Sequence, residues 1–338
     1  MSEPLPFPQS SAALSLSGIS KTFGARPGPI SKLLGRKAVS VSAVSDVSFD
    51  VRPGETFAVV GESGCGKSTL ARMIVGLLKP SNGTVQYRGR PLAAGVDERN
   101  RPDRRHLQMV FQDPYSSLNP RWTVGRLLAE PLLEHGLTKG RDATDARVGE
   151  LLGTVGLSPS DAGRYPHQFS GGQRQRICIA RALACEPDFI VWDEPTSALD
   201  VSVQAQILNL IRRLQRERSL TFVFISHNLG VVQNIADRVA VMYLGRIVEL
   251  GPTDAVLNNP RHPYTRMLID AVPRISKPRR SAPSVRGEVP NPLNPPTGCA
   301  FHPRCGFAQA DCRTARPALQ EDRDQRQIAC LRSKQLPQ

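Results

Sequence analysis

Gly61-Glu-Ser-Gly-Cys-Gly-Lys67-Ser68-Thr69 decides the fold. It fits G-x-x-x-x-G-K-[ST], the pattern of a phosphate-binding loop. The run before it, Thr56-Phe-Ala-Val-Val60, is apolar and β-branched and reads as a buried strand. The run after it, Leu70 to Leu78, has helical spacing. Strand, glycine loop and helix form the context in which such a loop works. Its glycines let the backbone turn tightly and aim N–H groups at phosphate oxygens. The helix N-terminus adds partial positive charge at the same place. Lys67 is spaced to reach the β- and γ-phosphates, and the Ser68 hydroxyl to ligate Mg²⁺.

Outward from the loop, the chain alternates strand and helix. Leu14–Ser20 reads as a strand, closed by Lys21 to Gly24, and 39–51 as a second edge pair. Residues 25–37, rich in Pro, Gly and basic residues, read as an insertion, and 93–105 as a charged loop. Leu107–Phe111 is an apolar strand ending at Gln112, and Asp113–Pro120 a polar turn. Residues 124–157 carry helical periodicity, and a long helix is expected from Arg174 to Cys185. Phe189–Trp192 is a buried strand ending in Asp193-Glu194, and 220–225 another ending at Ser226-His227. This alternation predicts an α/β fold with a largely parallel sheet. Pro, Arg and Ser dominate from about residue 273 to Pro296, as in a linker.

The 338 residues carry a net charge of +14, which admits nucleic acid, anionic membrane surfaces or polyphosphates as partners. The basic residues are dispersed, however, and aromatics make up only 5% of the chain, few for stacking bases. No apolar run is long enough to span a bilayer. The N-terminus, Met1 to Pro8, lacks the basic and apolar regions of a secretory signal. Of seven cysteines, Cys65, Cys178 and Cys185 read as small packing residues. Cys299, Cys305, Cys312 and Cys330 crowd into a tail with little other core, which calls for a staple. Stable disulfides are rare in the cytoplasm. Their spacing, C-x₅-C-x₆-C-x₁₇-C, suits either a 4Fe–4S cluster or tetrahedral zinc.

Taken in order, these motifs resemble the nucleotide-binding subunit of an ATP-binding-cassette (ABC) transporter. Gly61–Thr69 is similar to Walker A, Gln112 to the Q-loop, and Phe169-Ser-Gly-Gly-Gln173 to the signature Leu-Ser-Gly-Gly-Gln. Ile190–Glu194 is similar to Walker B, Ser197–Asp200 to the D-loop and His227 to the H-loop. The resemblance implies a P-loop NTPase with a RecA-like core, a β-subdomain and a helical subdomain at about 113–180, the cassette spanning 12–272. It implies that ATP contacts Phe23, Gly61, Glu62, Ser63, Gly64, Cys65, Gly66, Lys67, Ser68 and Thr69. Phe23 would stack on adenine, although its place in the sequence also suits a core residue. Ser68, Gln112 and Asp193 would hold Mg²⁺. Glu194 would be the general base, with His227 and Gln112 completing the catalytic set. Ser170, Gly171, Gly172 and Gln173 would contact the ATP bound by a second cassette, with Asp200 in the D-loop.

A narrower resemblance is to the dipeptide and oligopeptide import branch. It rests on Gln112–Pro120, on His262-Pro-Tyr-Thr265 and on the cysteine-bearing tail from Gly298. It implies a C-terminal extension at 273–338, with Cys299, Cys305, Cys312 and Cys330 around an iron–sulfur cluster, zinc being the alternative. It also implies ATP-driven uptake of peptides, or of related cargo such as nickel chelates or glutathione. The expected partners are a second ATPase subunit in a heterodimer, two transmembrane permeases and an external solute-binding protein, with no nucleic acid. The expected location is the cytoplasmic face of the membrane. A soluble ABC ATPase acting on nucleic acid or ribosomes is the competing reading, and the basic charge favours it.

Overall fold

The apolar run ahead of the loop forms the strand Thr56–Val60, with every residue buried. The computed structural model describes residues 12–24, 40–92, 103–271, 287–322 and 325–335. The N-terminus through residue 11, the insertion at 25–37, the charged stretch at 93–102 and the linker through 286 lie outside the described residues. Two compact units divide the chain. The first holds the described residues of Met1–Ala13, Val51–Thr56 and Val96–Ile225, the second those of Leu14–Asp50, Phe57–Gly95 and Ser226–Gln338.

In the second unit, Phe57–Val60 pairs in parallel with Arg238–Val241. The strand Arg238–Tyr243 turns back antiparallel into Arg246–Pro252. Leu244 and Gly245 make that turn with φ of 42° and 80°, the left-handed pair a two-residue hairpin needs. Gln327–Ile328 then pairs with the hairpin, Glu249 opposite Ile328, and Gln320–Glu321 pairs beyond it. Part of the cysteine-bearing tail is therefore continuous with this sheet. Phe301, 3% exposed, joins the same core as Val241, Tyr243, Val256 and Tyr264. A four-stranded antiparallel sheet completes the unit, in the order Ser40–Val51, Leu14–Gly24, Asn82–Tyr87, Arg90–Pro91. The expected edge pair at 39–51 is instead one strand. Asp46 takes φ 54° and donates its N–H to Ser20 Oγ at 2.9 Å, so the backbone kinks without reversing.

In the first unit, Leu107–Val110, Phe189–Asp193 and Thr221–Ser226 run parallel. The Trp192 ring meets Phe222 edge-on at 5.3 Å. Helices Val124–Glu134, Arg141–Thr154 and Gly171–Ala184 pack on one another. The last begins three residues before the expected Arg174. Pro114–Ser117 is a helical turn where a plain turn is expected, because Asp113 Oδ1 caps it by accepting the Tyr115 N–H at 2.8 Å. Asp103–His106 is likewise a single helical turn where a loop is expected. Among the described residues no helix is long and apolar enough to cross a membrane.

Candidate functional site

Gly66, with φ 106°, caps the helix Lys67–Ile74. A methyl group there would drive into the Ala43 carbonyl, and one at Gly61 into the Met242 carbonyl. The loop thus runs where only bare backbone fits, leaving a cradle suited to phosphate. Lys67 is 4% exposed, and its Nζ donates to the carbonyls of Gly61 at 2.8 Å and Glu62 at 3.0 Å. Burial raises the Cys65 thiol's pKa, while Lys67 partly opposes that, so Cys65 fills space as a neutral thiol. Glu62, Ser68 and Thr69 are half-buried, and Ser63 and Gly64 are exposed.

Two residues that sequence reasoning did not single out bind this loop. Tyr264 Oη accepts the Glu62 N–H at 2.9 Å. Arg304 Nη1 and Nη2 donate to the Glu62 carboxylate at 2.7 and 3.0 Å. Both lie in stretches the sequence does mark. His262 caps the helix Pro263–Asp270, its Nδ1 accepting the Tyr264 N–H at 3.1 Å. Burial pushes the His262 pKa down to about 3, which keeps that nitrogen an acceptor. Arg304 closes the short turn His302–Arg304 inside the cysteine tail.

The strand Phe189–Asp193 ends with Asp193 only 3% exposed. Glu194 adopts φ 47°, with its N–H donating to the Ile225 carbonyl at 3.0 Å. A left-handed glutamate costs about 1–3 kcal/mol and is tolerated where the surroundings impose it. That turn brings Glu194 Oε2 to Gln112 Nε2, at 3.4 Å. Ser170 and Gln173 form a capping box on the helix Gly171–Ala184. Ser170 Oγ accepts the Gln173 N–H at 3.4 Å, and Gln173 Oε1 accepts the Ser170 N–H at 3.0 Å. Phe169 is 4% exposed with the Arg164 guanidinium 4.2 Å over its ring, a contact that leucine could not make. Asp200, exposed, precedes the helix Val201–Arg218.

In the second unit, His227 is exposed just after the strand Thr221–Ser226. Asn228 Oδ1 caps the helix Leu229–Ile235, accepting from Gly230 and Val231 at 3.0 and 3.3 Å. Phe23 is 44% exposed, with the Lys21 ammonium over its ring, 5.3 Å from the centroid. The loop and the Gln112–Glu194 pair belong to different units.

All seven cysteines are free. Burial pushes Cys178 up to about 12 and Cys185 up to about 11, as expected of packing thiols. Cys299, Cys305, Cys312 and Cys330 line one small cavity with Phe301 and Phe307. The Cys299 N–H donates to the Cys312 carbonyl at 2.9 Å, and the Arg332 N–H to Cys330 Sγ at 3.3 Å. Burial raises the pKa values of Cys299, Cys305 and Cys330, the last to about 11, as it does those of Cys178 and Cys185. As placed, no three His, Cys, Asp or Glu among the described residues form a metal site. His302 is half-buried, with Nδ1 3.0 Å from the Cys299 carbonyl oxygen.

A phosphate cradle and a strand-end Asp-Glu on an α/β scaffold define a P-loop NTPase, and Ser170–Gln173 at the head of the helix Gly171–Ala184 narrows the class to ATP-binding cassettes. The ABC transporter family matches residues 44–197. The dimeric post-hydrolysis state of the ATP-binding cassette MJ0796, bound to ADP and Pi, aligns with a TM-score of 0.61 and 27% identity, over 71% of this chain and 98% of that one. CbiO1 from Clostridium perfringens, part of the ABC transporter complex cbiONQ, aligns at 0.60 and 25%, over 73% and 91%. The oligopeptide/dipeptide transporter C-terminal region matches residues 248–312. Among curated proteins, the putative oligopeptide transport ATP-binding protein YkfD of Bacillus subtilis is 51% identical, over 87% of this chain and 90% of that protein. The oligopeptide transport ATP-binding protein OppF of Escherichia coli is 49% identical, over 87% and 88%. The chain belongs to the ABC transporter ATP-binding proteins, in their oligopeptide/dipeptide branch. It is accordingly an ATPase coupled to transport, with the P-loop NTPase fold of the cassette.

Proposed function

We propose that the chain hydrolyses ATP to drive uptake of dipeptides or oligopeptides through a membrane permease. What supports this most is the coexistence, in one chain, of the cassette match at 44–197 and the peptide-transporter match at 248–312. Lys67 and the loop amides bind the phosphates, Phe23 stacks on adenine, and Ser68, Gln112 and Asp193 hold Mg²⁺. Mg²⁺, when bound, neutralises charge developing between the β- and γ-phosphates. Glu194 takes the proton of the attacking water, and His227 holds the γ-phosphate end of the site. Ser170–Gln173 completes the site of a second cassette, so two ATP molecules join two cassettes, and Asp200 lies in the D-loop between them. A second, non-identical ATPase subunit, two permeases and a solute-binding protein outside the membrane complete the assembly, with this chain on the cytoplasmic face. A cavity of about 590 Å³, lined by Phe111, Leu118, His135 and Arg181, follows the strand that leads to Gln112; we place the permease contact there.

Glu194→Gln should bind ATP as the wild type does, lose turnover at least about a hundredfold and accumulate as a closed cassette dimer. Wild-type turnover would remove Glu194 from the base role. Purification from membranes with mass spectrometry of the partners tests the assembly: permeases and a second ATPase should accompany the chain, whereas ribosomal proteins or nucleic acid would favour the competing reading.

Cys299, Cys305, Cys312 and Cys330 hold a 4Fe–4S cluster in this reading, zinc being the alternative. The four thiols around one cavity and the N–H···S bond support a thiolate-held group. Anaerobic purification should give brown protein with about four irons per chain. Colourless protein with one zinc would replace the cluster, and Cys299→Ser should lose the metal while retaining ATP binding.

A further inference from the structure

All three polar groups of Glu62, the second residue of the phosphate loop, are engaged. Its N–H goes to Tyr264 Oη, its carbonyl accepts from Lys67 Nζ, and its carboxylate takes both Nη atoms of Arg304. Arg304 lies 242 positions downstream, inside the cysteine-bearing extension. Its side chain is 3% exposed, against 26% for Glu62. The packing around it is specific. Phe301 meets Tyr243 edge-on at 5.3 Å and Tyr264 at 5.4 Å, and the turn that follows at once, His302–Arg304, delivers Arg304 to the loop.

We propose that Arg304, acting through Glu62, is a positioning residue of the phosphate loop, so that the cysteine-bearing extension forms part of the nucleotide site. This rests on the reading above, in which Gly61–Thr69 binds the phosphates of ATP. Two effects follow from the geometry. A carboxylate at the second position of a loop that receives a polyanion repels it, and a buried guanidinium, little screened by solvent, cancels that repulsion. The planar two-point pairing also fixes the direction of the Glu62 side chain, while Tyr264 fixes its amide, so the loop is held in one shape before nucleotide arrives. Docking the extension alone needs neither contact: Phe301 and the pairing of Gln327–Ile328 with the hairpin already attach it.

The test uses the full-length chain, with Mg-ATP affinity by calorimetry, kcat and KM by steady-state hydrolysis, and thermal melting in parallel. Arg304→Met should weaken ATP binding about tenfold, the size of one charge-assisted contact, and raise KM more than it lowers kcat. Glu62→Gln/Arg304→Met should recover most of that loss, because the bare carboxylate is gone. Should Arg304→Met not fold, Arg304→Lys carries the test: it keeps the charge without the fork and should lose about threefold. Wild-type affinity in Arg304→Met and Arg304→Lys, with only the melting temperature lowered, overturns the assignment. A double variant that binds no better than Arg304→Met overturns the route through Glu62. Lys67→Ala separates this from the underlying reading. If it binds ATP as the wild type does, or the wild type binds none, the phosphate-loop assignment itself falls.

Discussion

Glu249 shows how much of the second unit depends on single buried charges. It is fully buried, and burial pushes its carboxyl pKa up. The N–H groups of Arg261 and His262 donate to it at 2.9 Å each, and Arg326, with a 2% exposed side chain, stands 3.6 Å away. Arg326 also donates to the carbonyls of Ala255 and Asn259, both at 2.7 Å, closing the helix Thr253–Asn258. Such a pair adds little net stability, but removing one partner strands the other. Arg326→Met should therefore cost about 3–5 kcal/mol, read as a lower urea midpoint. The pH dependence has a definite sign. A carboxyl whose folded pKa is raised contributes stability below its unfolded pKa and loses it as pH rises through the folded value. Without Arg326 the folded pKa climbs further, so the penalty should be smaller at about pH 5 than at about pH 8. A penalty that is equal at both, or larger in acid, would contradict an ionised Glu249. Pairs of this kind were not legible in the sequence. Glu62 and Arg304 are 242 positions apart, and no local pattern links them, although both sit in stretches the motifs mark.

Elements that depend on neighbours in the chain were legible, and those that depend on distant partners were not. Thr56–Val60 and Lys67–Ile74 follow from an apolar run, a glycine loop and helical spacing. The helix Gly171–Ala184 is a partial case. Its two leading glycines disfavour helix by about 1 kcal/mol each, so periodicity alone delays its start to Arg174. The Ser170–Gln173 capping box and the burial of Arg174, Gln175 and Ile177 offset that cost. In Ser40–Val51 the Asp46–Ser20 bond decides that the chain continues as one strand. Gln327–Ile328 is two residues long, too short for any period, and exists because Glu249 and Leu250 are there to pair with it. Of the candidate site, the phosphate loop and the Asp193-Glu194 strand end were readable from local pattern, and Ser170–Gln173 only through its resemblance to a family signature. The support behind the loop was not, because Tyr264 and Arg304 reach it through tertiary packing.

At the scale of the molecule, the extension and the phosphate loop share one compact unit and one set of contacts. If Arg304 favours the loop shape that binds ATP, ATP must in return favour the seated extension, because coupling between two sites is reciprocal. The effect can be read at the cysteines without any measurement of turnover. In metal-free protein, Cys299, Cys305 and Cys330 are partly accessible and Cys312 is buried, so maleimide labelling of Cys312 is the reaction that reports lifting of the extension. ATP at about 100 times its Kd stabilises the bound form by about 2.7 kcal/mol. Labelling that requires loss of the loop contact should slow by up to about a hundredfold, and by less if lifting only weakens binding. Cys178 and Cys185 belong to the other unit and serve as the internal reference. ATP should protect Cys312 more than these two, and Arg304→Met should abolish the difference while Lys67→Ala abolishes protection altogether. Equal labelling of Cys312 with and without saturating ATP would mean that the extension does not sense the nucleotide.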